Sequence, residues 1–197
     1  MGAGRAQALL LLVVLGISGG TPPANAAACP SRYGPGEHSI RMSIPAAGVT
    51  WEREFVVSVP ASLPMAEPRP SVIMWHGCGS DIEKFKLESG VADRIDAHGY
   101  YSIWPRGTSS NLSPDQQHTC RSGPADPAAS FDDYTRCGWN SGFPNDGGCQ
   151  TPDSPRPDDV DFAERILDFM DTNLCIDTQR TFIAGFSNGA QMAYKLK

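Results

Sequence analysis

Ser187 stands at the centre of Gly185-Phe186-Ser187-Asn188-Gly189. The residues before it, Arg180-Thr181-Phe182-Ile183-Ala184, are, after the arginine, β-branched, aromatic or small and read as a strand. Those after it, Gln191-Met192-Ala193-Tyr194-Lys195-Leu196, read as a helix start. A G-x-S-x-G pentapeptide is short enough to arise by chance, so its weight comes from this setting. On a strand–turn–helix the serine oxygen is exposed above the sheet at a helix N-terminus. The chemistry open to it there is nucleophilic attack on an acyl carbon. Gly185 and Gly189 leave bare backbone where strand and helix close on each other.

Such an attack creates an oxyanion, which needs N–H donors already in place. His76-Gly77-Cys78-Gly79 follows the apolar run Ser71-Val72-Ile73-Met74-Trp75, a strand buried on both faces. Its glycine-rich turn can aim the Cys78 backbone N–H at the oxyanion, and the Asn188 N–H is the second donor. The Cys78 thiol is a competing nucleophile, but no positioned base is evident for it. His76 and Gly77 read as support for the turn, because the base histidine of this architecture follows the serine in the chain.

The remaining elements must position these groups. Glu54–Val59, ended by Pro60, and Tyr100–Trp104, ended by Pro105, read as further strands. Asp81–Ala97 reads as a helix interrupted at Gly90. Val160, Ala163, Ile166, Leu167, Met170 and Leu174 recur at helical spacing behind an Asp158-Asp159 cap. That acidic pair suits the helix dipole and is not read as catalytic. Strands alternating with helices predict an α/β fold with a mostly parallel sheet. The stretch from Pro105 to Pro157 is a glycine-, proline- and cysteine-rich excursion. It is read either as a pinned surface loop or as a substrate wall carrying Trp139 and Phe131.

Composition narrows the classes. With 40% hydrophobic and 19% charged residues, a packed core is expected rather than disorder. The net charge of −6 disfavours nucleic acid as a partner. Ala8–Ile17 is apolar but too short to span a bilayer, and Ala24-Asn25-Ala26 has small residues at cleavage positions. Residues 1–26 therefore read as a secretory signal peptide and 27–197 as the domain, with no membrane contact after cleavage. Export makes disulfides the default for Cys29, Cys78, Cys120, Cys137, Cys149 and Cys175, with at least one bridge in the excursion and the pairing open. No C-x-x-C pair or cysteine–histidine cluster suggests a metal, and no cofactor is implied.

The block Cys175-Ile176-Asp177-Thr178-Gln179-Arg180, with Gly185–Gly189 and Met192-Ala193-Tyr194, resembles secreted feruloyl esterases and related polyhydroxybutyrate depolymerases. Pro105-Arg106-Gly107, Cys137-Gly138-Trp139 and Asp158-Asp159-Val160 fall in the same order, and His76-Gly77-Cys78 is similar to the depolymerase oxyanion loop. The resemblance covers residues 29–197. It implies an α/β-hydrolase that cleaves carboxylic esters through an acyl-serine. The substrates it implies are hydroxycinnamate esters on plant polysaccharide or hydroxyalkanoate polyesters. In that fold an acid and a histidine follow the serine, yet the ten residues after Ser187 hold neither. The expectation is a chain missing its C-terminal part and inactive alone. A secreted glycan-binding protein using Trp139 as a stacking platform, or a fragment that does not fold alone, are the competing readings.

Overall fold

The structure is a computed structural model that describes residues 15–17, 29, 32–46, 48–61, 67–109, 137–143 and 157–197. Phe131, Cys120, Cys149 and the Ala24–Ala26 cleavage site lie outside them.

A six-stranded sheet organises the chain. Its strands are Leu15–Ile17 (β1), Gly36–Ala46 (β2), Val49–Val59 (β3), Arg69–Trp75 (β4), Tyr101–Pro105 (β5) and Ile176–Gly185 (β8), in the order β1-β8-β4-β5-β3-β2. The centre is parallel, β4 lying between β5 and β8. The flanks are antiparallel: β2 on β3, β3 on β5, and β1 on Thr181–Ile183 of β8. The sheet is thus mixed, its parallel part confined to the strands that alternate with helices. A two-stranded ribbon pairs Thr108–Ser109 (β6) with Cys137–Gly138 (β7).

The long β2–β3 hairpin goes beyond the sequence expectation, which began at Glu54. Strand β2 alternates exposed and half-buried positions, so it carries no continuous apolar run to mark it. Strand β8 likewise begins at Ile176, before the β-branched stretch. Leu15–Ile17, from the apolar leader run, adds a strand to the outer edge of β8, where unpaired backbone groups accept any extended segment.

Alternation along the strands builds two cores. Val57, Ile73, Trp75 and Ile103 face one side, with Phe162, Ile166, Met170 and Met192 of the helices above them. Val56, Val72, Met74 and Trp104 face the other, with Ile82 and Phe85. Helices Ile82–Ser89 (α1) and Ala92–Ala97 (α2) replace the single interrupted helix. Gly90 ends α1 in the left-handed region at φ 61°, a conformation that favours glycine. Helix Asp159–Asn173 (α3) buries Phe162, Ala163, Ile166 and Met170. Asp158 caps it, accepting the N–H groups of Val160 and Asp161, both at 3.0 Å. Helix Asn188–Lys195 (α4) follows the serine turn.

Cys29 and Cys175 form a disulfide, tying the chain before β2 to the start of β8. Cys78 and Cys137 are each held in a disulfide. No helix among the described residues is long and apolar enough to cross a membrane.

Candidate active site

Ser187 sits between the end of β8 and the first turn of α4. Its φ is 52° and its ψ −119°, and it is the one non-glycine residue with positive φ among the described residues. Such a conformation costs about 1–3 kcal/mol and persists only where the surroundings impose it. Here they do. A Cβ on Gly185 would lie 2.3 Å from the Gly189 carbonyl oxygen, and one on Gly189 would lie 2.1 Å from that of Trp75. Strand β4, strand β8 and helix α4 thus touch backbone to backbone. The turn squeezed among them pushes the serine outward, and Ser187 is exposed while its neighbours Asn188, Gly189 and Ala190 are buried.

The contact gives a testable consequence. Gly189→Ala must displace a backbone carbonyl, not a flexible side chain, so it is expected to cost more than about 4 kcal/mol or to prevent folding. Gly34→Ala, where a Cβ meets nothing within 4 Å, is the control expected to be near neutral. Urea unfolding of both variants in the full-length protein decides it.

The turn His76–Gly79 packs directly against the serine. A Cβ on Gly77 would lie 3.4 Å from Ser187 Cβ and 2.9 Å from Phe186 Cδ1. Gly79 has φ 69° and donates its N–H to Cys137 O at 2.8 Å. The Asn188 N–H, the other donor expected from the sequence, lies at the start of α4. In the first turn of α4 the Gly189 and Ala190 N–H groups return to Phe186 O and Ser187 O, at 2.8 and 2.9 Å. The Asn188 N–H has no backbone acceptor among the described residues. The disulfide at Cys78 removes its thiol as a nucleophile.

His76 is fully buried. Gly107 N–H donates to its Nε2 at 3.0 Å, so Nε2 is the bare nitrogen and Nδ1–H donates to Gly77 O at 2.8 Å. Both ring nitrogens are engaged, and neither serves as a base. Burial pushes the imidazole pKa down to about 4, with Arg106 and Arg53 acting in the same direction; the Gly77 bond and Asp81 oppose them. A depressed histidine pKa means that the unfolded chain binds the extra proton first. The stability this gives is complete above about pH 6.5 and is lost as pH falls through about 4. The expected loss across that window is on the order of 3 kcal/mol. Unfolding midpoints from pH 7 to pH 4 should show a slope that His76→Asn removes.

Arg106, just after β5, braces the same region. It grips Glu83 of α1 with two hydrogen bonds, 2.9 and 2.7 Å, and its Nε lies 3.8 Å from Glu54 Oε1. Burial disfavours both charges, yet the Arg106 bonds hold the Glu83 carboxyl below its ordinary pKa, and Glu83 and Glu54 hold Arg106 above its own.

Two sequence expectations change. Trp139 is not a substrate wall. It is fully buried, edge-on to Trp75 with ring centres 4.5 Å apart, and donates Nε1–H to His76 O at 2.8 Å. A glycine-rich excursion hid a core tryptophan because its neighbours carry no apolar pattern. Asp159 does not share the cap with Asp158. It is buried and pairs with buried Arg53 at 2.6 Å, while its other oxygen accepts Asn140 N–H at 2.6 Å. The one available hint was that a helix has one cap, so one acid of the pair was surplus. No cluster of metal-binding side chains occurs among the described residues.

No protein-family model matches the chain. It is 26% identical over 147 residues to feruloyl esterase D of Neurospora crassa, covering 73% of this chain and 40% of that protein. Among solved structures, native sOPH aligns with a TM-score of 0.48 and 22% identity, over 87% of this chain and 50% of the other. An S-formylglutathione hydrolase from Agrobacterium tumefaciens aligns with a TM-score of 0.47 and 14% identity, over 80% of this chain and 50% of the other. The chain thus spans half or less of the length of these proteins. It is similar in sequence to a feruloyl esterase, and its sheet is mixed, with helices on both faces and the serine at a strand–turn–helix.

Proposed function

We propose that the full-length protein is a secreted serine esterase that cleaves hydroxycinnamate esters of plant cell-wall polysaccharide. The observation that carries this is the exposed Ser187, held at φ 52° between two glycines with no room for a Cβ. The geometry serves one purpose well, which is to present a hydroxyl to a carbonyl carbon beside a helix N-terminus. The likeness to a feruloyl esterase supports the substrate class. The disulfides and the apolar leader run support export.

In this reading Ser187 Oγ bonds to the ester carbonyl carbon as a general base takes its proton. The carbonyl oxygen becomes an anion between the Cys78 and Asn188 amides. The C–O bond to the sugar then breaks, the alcohol leaves with the proton, and water releases the acid from the acyl-serine. His76 is excluded as the base by its two hydrogen bonds. Cleavage of hydroxyalkanoate polyesters is the runner-up for the same machinery. The glycan-binding reading loses its platform, because Trp139 has no exposed face.

The test compares methyl ferulate with hydroxybutyrate oligomers, using full-length protein and mass spectrometry of the trapped acyl-enzyme. The expected result is a feruloyl adduct on the Ser187 peptide and a preference for methyl ferulate of at least about tenfold in kcat/KM. Preference for the oligomers moves the protein to the polyester class. An adduct elsewhere, or none with turnover intact, removes the serine mechanism.

A further inference from the structure

We propose that Trp139 and the Asn188 side chain are positioning residues, acting together as a splint that holds the two oxyanion donors in one register. This rests on the serine-esterase reading and assigns a role to the Cys137–Trp139 segment within it. The Cys78 and Asn188 amides come from turns far apart in sequence, one after β4 and the other after β8. Each must point at the same atom. An error of about 1 Å in such a pair is enough to cost a hundredfold in rate.

Four hydrogen bonds run from the Cys137–Trp139 segment, two to each turn. Gly79 N–H donates to Cys137 O at 2.8 Å, and Trp139 Nε1–H donates to His76 O at 2.8 Å. These grip the Cys78 turn on both sides of its donor. Toward the other donor, Trp139 N–H donates to Asn188 Oδ1 at 2.8 Å, and Asn188 Nδ2 donates to Trp139 O at 3.2 Å. The Asn188 side chain is fully used in this exchange with Trp139 and with Gln191 Oε1 at 3.4 Å. Its backbone N–H is left to face the reaction. The Trp139 ring fills the gap between the turns, 4.5 Å from the Trp75 ring and 4.8 Å from that of His76. Trp139 and Asn188 are both buried, so neither arrangement serves solvent contact.

A splint of this kind acts on the transition state more than on the substrate. Only the tetrahedral oxyanion needs both donors at full strength. Trp139→Phe keeps an aromatic ring and deletes the Nε1–H bond to His76 O. In full-length protein it is expected to lower kcat on methyl ferulate about tenfold with KM within twofold. Affinity for a trifluoromethyl ketone analogue of the tetrahedral intermediate should fall by the same factor. Affinity for ferulate, the product acid, should not change. Asn188→Ala deletes both side-chain bonds to Trp139 and keeps the backbone amide, and is expected to behave in the same way. It stands in if Trp139→Phe does not fold, as judged by near-ultraviolet dichroism.

The proposal is overturned if a folded variant keeps its kcat and its analogue affinity. It is equally overturned if product-acid affinity falls as far as analogue affinity, which marks a general disturbance of the site. Ser187→Ala, measured alongside, separates the two levels. If it is inactive while the splint variants match the wild type, only the splint falls. If it retains turnover, the serine reading falls and takes the splint with it.

Discussion

Ser187→Ala in the full-length protein is expected to lower kcat for ester hydrolysis by at least about 10⁴, with KM little changed. The size follows from what is lost. Without Oγ there is no acyl-enzyme, and attack must come from water that nothing positions. What remains is the oxyanion donors and substrate binding, which keep a modest rate over the uncatalysed reaction. The fold should not notice the change. Ser187 is exposed, and alanine meets the same backbone geometry at φ 52° that serine already tolerates. Thermal unfolding within about 2 °C of the wild type is therefore part of the expected result. Activity of more than a tenth of wild type in a folded variant would exclude Ser187 as the nucleophile.

The largest effect on stability is expected at Arg53 and Asp159. Both side chains are fully buried and lie 2.6 Å apart. The guanidinium also stacks over Phe162, 4.1 Å from the ring centre, and donates to Arg106 O at 3.3 Å. Asp159→Ala leaves a buried cation without its anion and the Asn140 N–H without its acceptor. The expected cost is about 3–5 kcal/mol, because removing one partner of a buried pair is worse than removing both. Arg53→Met combined with Asp159→Leu should therefore cost less than Asp159→Ala alone. Urea unfolding of the single and double variants measures the difference, and a double variant less stable than the single would reject the argument. The pair also bears on activity. It joins β3 to the start of α3 and holds Asn140, next to Trp139, so the double variant should fold yet turn over more slowly than the wild type.

The serine turn was legible because everything that shapes it lies within a few residues. A β-branched strand, two glycines and a helix start specify the turn locally, and the structure adds only the 2.1 and 2.3 Å approaches that explain why both must be glycine. The same holds for the Gly90 break, the Asp158 cap and the apolar stripe of α3. Backbone preference and periodicity are short-range properties, and a sequence displays them directly.

Other features depended on pairs that only the folded chain brings together. Arg53 and Asp159 are 106 positions apart, and Cys29 and Cys175 are 146 apart. No local pattern says that a charge in a strand will be buried against one at a helix start, or which cysteine will meet which. Trp139 looked like a loop aromatic free to touch substrate and is instead a core residue bonded to both turns around Ser187. The sequence by itself determined the serine turn, the helices and the central strands, because those are written in neighbouring residues. The tertiary structure decided the antiparallel flanks, the buried ion pair and the contacts of Trp139 with the His76 and Asn188 turns. Their energies come from desolvation and contact between distant segments, which exist only once the sheet has formed.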